Sequence, residues 1–254
     1  MNIKVGDYVS RNSYHNDLIF KVLKIENDKV FLKGVFARLY ADSLIDDLTI
    51  ENNIEDDFEP VMNGSDTRDD YFYLPGKILH IDGDDEYLAK CLKYYSDLNV
   101  YAVGKKIKEE DIAAQIVDLL KKVKPDVLVM TGHDAYYAKK GDKNNITNYK
   151  NSINFAKAVK AARNYEKSQE KLVIIAGACQ SDYEELIKAG ANFASSPKRV
   201  NIHALDPAII ASSVALTKRN TNIDLKNILA KTKYGASGMG GIITSGLMYV
   251  GYPR

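Results

Sequence analysis

From residue 71 onwards, short apolar runs alternate with amphipathic stretches, and this alternation constrains the fold more than any other feature of the sequence. The apolar runs have the length of strands and lie at 77–82, 100–104, 126–131, 171–176 and 191–195. The stretches between them repeat apolar residues every three or four positions, as helices packed on one face do, and lie at 86–98, 109–123, 151–165 and 182–190. Buried strands that alternate with helices predict an α/β fold with a doubly wound parallel sheet.

The first 50 residues follow a different pattern, in which short runs alternate apolar and polar residues. Turn signals such as Asn27-Asp28 separate these runs, and such alternation is typical of strands with one buried face. The opening segment KVGDYVSR resembles the first strand of SH3-like barrels of the KOW type. Residues 1–50 are therefore predicted to form a small β-barrel, a shape that serves RNA and protein contacts alike and indicates no function by itself.

An acidic segment separates the two patterns. Residues 46–70 carry ten acidic side chains and one arginine, and a proline and a glycine interrupt any regular period. Such a composition is typical of a linker. The predicted organisation is a barrel over 1–50, an acidic linker over 51–70 and an α/β domain over 71–254.

The last third of the α/β domain has a less regular pattern. Segments 212–216 and 223–232 are predicted to be helical. The stretch 234–253 contains six glycines and is expected to be irregular or to form short strands. Gly238, Gly240 and Gly241 would suit either a tight turn or a backbone that approaches a ligand closely.

Composition excludes several classes of protein. Lysine and arginine number 35 against 34 aspartates and glutamates, so a net charge of +1 gives no indication of a nucleic-acid partner. No run approaches the ~18 apolar residues of a membrane span, and the polar N-terminus is unlike a signal peptide. We therefore expect a soluble protein, made in the cytoplasm, with no membrane partner. Cys91 and Cys179 are too few for a disulfide framework or a thiolate metal site, and no pattern indicates a metal ion or organic cofactor.

Two predicted strands end in residues that can carry out chemistry. The run VLVMT leads into Gly132 and His133, and the run LVIIA leads into Gly177, Ala178 and Cys179. The carboxyl ends of neighbouring parallel strands meet at one edge of the sheet. His133 and Cys179 are therefore expected to lie at the same edge.

A histidine close to a cysteine supplies the chemistry of a cysteine nucleophile. Because a free thiol is mostly protonated near neutral pH, an imidazole that removes its proton activates it. A helix beginning soon after Cys179 adds a partial positive charge that favours the thiolate. The prediction is Cys179 as nucleophile, His133 as general base, and the backbone N–H groups of Gly132 and Cys179 as oxyanion donors. The alternative, a buried structural cysteine and a satisfied polar histidine, is disfavoured because both residues follow strand ends.

The two strand-end motifs resemble those of the caspase, legumain and gingipain clan of cysteine peptidases. In that clan a strand ends in His-Gly and the next in Ala-Cys, whereas here Gly132 precedes His133 and Asp134 occupies the position of the glycine. The blocks LPGKILHIDGD, VLVMTGHDAYYAKKGDKNN, VIIAGACQSDYEELIKAGANFASSPKRVNIHALDP and GLMYVGYP resemble the sporulation-specific YabG peptidase family of spore-forming Firmicutes, over nearly the whole chain.

These resemblances imply a fold and an activity. They imply a caspase-like parallel sheet and a cysteine protease with His133 as base and Cys179 as nucleophile. The partners would be protein substrates, namely spore coat and cortex-associated proteins, and the enzyme would act in the cytoplasm of the sporulating mother cell, at the forming spore coat. The oligomeric state is not indicated.

The first predicted strand of the α/β domain ends in a cluster of carboxylates, Asp82, Asp84 and Asp85. In the clan that the chain resembles, the loop after this strand helps to line the pocket for the residue preceding the scissile bond. A buried carboxylate in such a pocket pairs with arginine or lysine. We therefore predict cleavage after Arg, or else after Lys, with Asp84 or Asp85 as the recognition residue. The alternative is a turn whose carboxylate caps the following helix.

Other residues compete for roles in the same site. Asp134 is a candidate for orienting His133, although adjacent residues rarely project to the same point. His203, within the segment 194–207, is a second candidate base, but the segment is interpreted mainly as scaffold and groove wall. The polar loop 135–149 is a candidate for closing over the site.

Two other functions are each consistent with part of the sequence. The run from Gly177 to Ser181 partly resembles the nucleophile elbow of amidotransferases, which would make the chain a small-amide hydrolase. The acidic cluster after the first strand also resembles a non-catalytic receiver domain. Thr131 and Gly177 stand where a receiver requires an aspartate and a lysine, which disfavours that interpretation.

Overall fold

The chain forms two compact units, Met1–Glu59 and Pro60–Arg254. The computed structural model describes residues 3–56, 58 and 71–252. Most of the predicted acidic linker over 51–70 therefore lies outside the described residues. Within the described ranges, no helix combines the length and apolar character needed to cross a membrane.

The first unit is an antiparallel sheet of five strands: β1 Tyr8–Arg11, β2 Phe20–Glu26, β3 Lys29–Gly34, β4 Tyr40–Leu44 and β5 Leu48–Ile50. The strand order is β4-β3-β2-β1-β5. Asn27, in the predicted turn between β2 and β3, takes a left-handed conformation with φ 54°, which asparagine tolerates. Antiparallel strands are thus confirmed in this part of the chain, whereas closure into an SH3-like barrel stays a prediction.

The second unit contains eight strands among its described residues. They are β6 Phe72–Leu74, β7 Ile78–Asp82, β8 Ala102–Lys106, β9 Val127–Thr131, β10 Val173–Ala176, β11 Phe193–Ser195, β12 Met239–Gly241 and β13 Tyr249–Gly251. Its helices are α1 Asp85–Asp97, α2 Ile112–Val123, α3 Ser152–Tyr165, α4 Tyr183–Lys188, α5 Asp206–Leu216, α6 Leu225–Ala230 and α7 Gly235–Gly238.

Six of these strands form one sheet in the order β12-β11-β10-β9-β7-β8. Strands β7 to β11 are parallel, which confirms the mixed α/β class and the parallel sheet. Strand β12, from the glycine-rich stretch, is antiparallel to β11, and β6 pairs with β13 in a separate ribbon. The chain reverses its direction of travel across the sheet between β7 and β9. Ligand crevices in open α/β sheets form at such a reversal, beyond the carboxyl ends of the strands.

Helices cover both faces of the six-stranded sheet. Alternate strand residues such as Leu79, Leu128 and Ile174 pack with α2, α3 and α4 in one apolar core. The neighbouring positions point to the other face, where the ring of His80 contacts Tyr95 of α1. Aspartates start three of the helices, because Asp84, Asp182 and Asp224 each accept a hydrogen bond from an N–H of the first turn.

A single arginine ties together the turns at the amino ends of β10 and β11. The guanidinium of Arg163, on α3, donates to the carbonyls of Glu166, Ser168, Leu172 and Gly190 at 2.9–3.1 Å. It also donates to the Asn192 side chain at 2.9 Å. Leucine or methionine would fill the same volume but would satisfy none of these acceptors.

Replacing Arg163 by methionine is expected to destabilise this unit by about 3 kcal/mol, because several partly buried carbonyls lose a charged donor. The measurement is urea denaturation followed by circular dichroism. Lys160→Met, at an exposed position on the same helix, is the matched control and should unfold as the wild type does. Equal midpoints for Arg163→Met and the wild type would contradict this account.

Candidate active site

The loops that follow β7, β8, β9 and β10 leave the sheet at one edge and carry the predicted site residues. Ala176 of β10 pairs with Met130 of β9, an offset of 46 residues. His133 and Cys179 are separated by the same offset and each follows the end of its strand by two or three residues. The predicted base and nucleophile therefore occupy equivalent positions after two adjacent parallel strands.

Cys179 is wholly buried, and it lies in a loop in which neighbouring residues have a positive φ. The backbone N–H of Ile202 donates to Sγ at 3.2 Å, and a donor there stabilises the negative charge of a thiolate. Gly177 and Gln180 on either side have positive φ values of 107° and 58°. A Cβ at Gly177 would lie 2.3 Å from the Ser195 hydroxyl, so this turn requires glycine.

The helix expected to favour the thiolate is shorter and further away than the sequence suggested. Helix α4 begins at Tyr183 and has six residues, and Asp182 caps its first turn. Because the field of a helix terminus falls off within about one turn, α4 contributes little at Cys179. The Ile202 N–H is the closer source of positive charge.

The His133 ring lies between two carboxylates. Its Nε2 is 3.9 Å from Asp84 Oδ2, and its Nδ1 is 3.7 Å from Glu109 Oε1. The backbone of the same residue is fixed at both ends, because its N–H donates to Glu109 Oε1 at 2.7 Å and its carbonyl accepts from Asn151 Nδ2 at 2.8 Å. Tyr87 packs against the ring at a centroid distance of 5.7 Å.

Glu109 was not among the predicted site residues. Burial raises the pKa of this carboxyl group, but hydrogen bonding to the side chain and backbone N–H of His133 outweighs burial and leaves the pKa below its usual value. Glu109 follows the end of β8. The predicted strand 100–104 ended two residues too early for the strand-end rule to indicate Glu109, which follows the observed end of β8 by three residues.

Asp134 joins the His133 loop to the Cys179 loop and does not orient the His133 ring. One carboxylate oxygen accepts from the backbone N–H groups of Ala135 and Asn151, at 2.9 and 2.7 Å. The other accepts from the hydroxyls of Ser152 and Ser181, at 2.5 and 2.8 Å. Burial raises the pKa of Asp134, and these four hydrogen bonds act in the opposite direction.

The two serines extend this connection to both sides of the nucleophile. Ser181 Oγ accepts from the N–H of Ala178 at 2.9 Å, and Ser152 Oγ accepts from the N–H of Asp182 at 2.8 Å. Residues 178 and 182 flank Cys179. A chain of hydrogen bonds thus runs from the carboxylate of Asp134 to the backbone before and after Cys179.

The three aspartates predicted to bind substrate occupy different environments. Asp82 is buried and accepts from Thr131 Oγ1 at 2.7 Å and from the N–H of Asp84 at 2.9 Å. Asp84 caps α1 with one oxygen, as the alternative interpretation required, and its other oxygen faces His133. Asp85 is exposed and pairs with Lys106. Of the three, only Asp84 is shown beside the His133 side chain.

The segment 194–207 forms part of the scaffold around Cys179. The N–H of His203 donates to Asp206 Oδ2 at 2.8 Å, and its Nδ1 accepts from the N–H of Leu205 at 3.2 Å. These contacts fix the ring in the turn before α5. Within the described ranges, no group of three or more His, Cys, Asp or Glu residues is arranged to hold a metal ion.

The long loop after His133 is anchored at both of its ends. The N–H of Tyr136 donates to the side chain of Gln180 at 3.2 Å. Arg199 Nε donates to Tyr149 Oη at 2.5 Å, and the same guanidinium pairs with Glu184 at 2.5 Å. This loop therefore borders the Cys179 loop. Closure over a ligand stays a prediction.

Comparison with known proteins covers nearly the whole chain. The family model described as YabG peptidase U57 matches residues 4–60 and 51–253. The chain is also similar to the sporulation-specific protease YabG of Bacillus subtilis (strain 168), at 39% identity over 286 residues. That alignment spans 100% of this chain and 99% of the relative.

Replacing Asp134 by asparagine is expected to lower the free energy of unfolding by about 2–4 kcal/mol, because two buried serine hydroxyls lose their acceptor. The measurement is the urea midpoint of the purified variant. Asp142→Asn, an exposed position in the following loop, is the control and should match the wild type. A wild-type midpoint for Asp134→Asn would mean that the hydrogen-bond chain contributes no stability.

Proposed function

The chain belongs to the YabG peptidase U57 family, and from this premise we propose that it is a cysteine endopeptidase acting on proteins of the forming spore. Family membership supports a protease role in sporulation. The observation that supports the cysteine mechanism is that His133 and Cys179 occupy equivalent positions after adjacent parallel strands. The small-amide and receiver interpretations are set aside, because the family is one of peptidases.

In the proposed mechanism, His133 accepts the proton of Cys179 and the sulfur attacks the carbonyl carbon of the scissile bond. The backbone N–H groups of Gly132 and Cys179 stabilise the oxyanion. The C–N bond breaks as His133 returns the proton to the leaving amine, and a thioester remains on Cys179. A water molecule, deprotonated by His133, then hydrolyses the thioester and releases the acid product.

For specificity, we propose that Asp84 binds an arginine or lysine that precedes the scissile bond. Its carboxylate lies beside His133 and its side chain is 8% exposed, so a guanidinium that reaches it forms a desolvated ion pair. Asp85 is less suited, because its carboxylate is exposed and already pairs with Lys106. Spore coat and cortex-associated proteins are the proposed substrates, and the mother-cell cytoplasm at the coat is the proposed location.

The cysteine mechanism predicts that Cys179→Ala and His133→Ala abolish cleavage of a mixed, unfolded protein substrate, because each removes one half of the dyad. New N-termini are identified by mass spectrometry. Cys91→Ala and His203→Ala are matched controls, since Cys91 is buried in α1 and His203 lies in the scaffold turn. Both controls should cleave as the wild type does. Cleavage by Cys179→Ala would exclude the proposed nucleophile.

The specificity proposal predicts that Asp84→Asn lowers kcat/KM for a peptide with arginine before the scissile bond on the order of 100-fold, because a charged hydrogen bond is lost. Asparagine caps helices as well as aspartate does, so α1 is retained. Asp85→Asn is the control and should keep the wild-type value. An unchanged arginine preference in Asp84→Asn would assign the pocket to another residue.

A further inference from the structure

We propose that Glu109 is a positioning residue for His133: its carboxylate holds the imidazole in the orientation and tautomer that let it take the proton of Cys179. This inference rests on the proposed cysteine mechanism and adds a third side chain to it. It is carried by the contacts of Glu109, by the space left for it and by its charge.

The contacts join one carboxylate oxygen to two groups of a single residue. Glu109 Oε1 accepts from the N–H of His133 at 2.7 Å and lies 3.7 Å from Nδ1 of the same histidine. The backbone contact fixes the main chain from which the ring projects. The separation of Oε1 and Nδ1 is within ion-pair distance of an imidazolium, and catalytic contacts commonly shorten when substrate binds.

Two loops leave room for this carboxylate because each has a glycine beside it. A Cβ at Gly83, after β7, would lie 2.5 Å from Glu109 Oε1, and a Cβ at Gly132, after β9, would lie 2.2 Å from the same atom. A side chain at either position would push the carboxylate away from His133. The space for the Glu109 carboxylate therefore depends on both glycines, one after β7 and one after β9.

The surroundings of Glu109 favour its charged form, although the side chain is largely buried. Its side chain is 11% exposed, and that of His133 is 10% exposed. Burial of an isolated carboxylate is costly, yet hydrogen bonding to His133 keeps the pKa of Glu109 below its usual value. The adjacent residue, Glu110, is exposed. The chain thus turns one of two consecutive glutamates inward, onto the histidine.

A negative charge beside Nδ1 has two chemical consequences. Asp84 lies 3.9 Å from Nε2, but Glu109 is nearer to the ring and is held by the N–H of the same histidine, so it favours the tautomer with the proton on Nδ1. In that tautomer Nε2 is unprotonated and can accept the thiol proton. The negative charge also stabilises the imidazolium that forms once the proton has been transferred. Glu109 itself neither gains nor loses a proton in this scheme.

The test compares kcat and KM of Glu109 variants on an arginine peptide, using the full chain. Glu109→Ala is expected to lower kcat about 100-fold with KM unchanged. Glu109→Gln keeps an acceptor for the His133 N–H but loses the charge, and should lower kcat about 10-fold. Gly83→Ala should also lower kcat, because it displaces the carboxylate without altering Glu109. Glu110→Gln is the matched control and should retain the wild-type kcat.

Thermal unfolding of each variant separates positioning from a structural role. The inference is supported when kcat falls in Glu109→Ala and Gly83→Ala while KM stays the same and the melting temperature changes little. It is overturned when kcat is unchanged in both, or when Glu109→Gln loses as much activity and stability as Glu109→Ala. Cleavage by Cys179→Ala or His133→Ala overturns the cysteine mechanism itself, whereas inactive dyad variants with a wild-type kcat in Glu109→Ala overturn the role of Glu109 alone.

Discussion

The arrangement of the candidate site depends on a buried carboxylate, that of Asp134, which has no cationic partner among the residues that the structure describes. Asp134 is 3% exposed, and its four hydrogen bonds come from two backbone N–H groups and two serine hydroxyls. Neutral donors offset the cost of burial only when every acceptor position is used. The loops after β9 and β10 must therefore adopt the conformations that bring Ser152 and Ser181 to Asp134. Burial of this one carboxyl group thus selects the conformation of both loops.

The strand-end rule could place His133 and Cys179 after adjacent parallel strands because it depends only on chain topology. His133 and Cys179 follow apolar runs that could be recognised in the sequence, and parallel strands bring such positions to one edge. The rule does not specify where a side chain points. It could not show that Asp134 turns away from the His133 ring towards two serines, or that Glu109 turns inward while Glu110 turns to solvent. Those orientations are set by hydrogen bonds between loops that are distant in sequence.

The fold was predictable where a segment of the sequence had either a continuous apolar run or a single apolar periodicity. The five parallel strands have continuous apolar runs and the helices α1 to α4 have clear apolar periodicity. Most of their positions were predicted closely, although β8 lies two residues beyond the predicted run 100–104. Strand β12 was expected only as an irregular or short-stranded stretch. Its residues Met239, Gly240 and Gly241 carry no alternation of their own, and they form a strand because β11 offers them an unpaired edge. Tertiary context, and not local preference, determines that strand.

Two side chains of opposite type, Asp134 and Arg163, organise the loops at the two ends of the parallel strands. At the carboxyl edge, the carboxylate of Asp134 gathers donors from the loops that hold His133 and Cys179. At the amino edge, the guanidinium of Arg163 gathers carbonyl acceptors from the turns that enter β10 and β11. Strand β10 therefore begins beside the guanidinium of Arg163 and ends beside the carboxyl group of Asp134. Changes at the amino ends of the strands therefore act on the stability of the fold, whereas changes at the carboxyl ends act on stability and on the candidate site together.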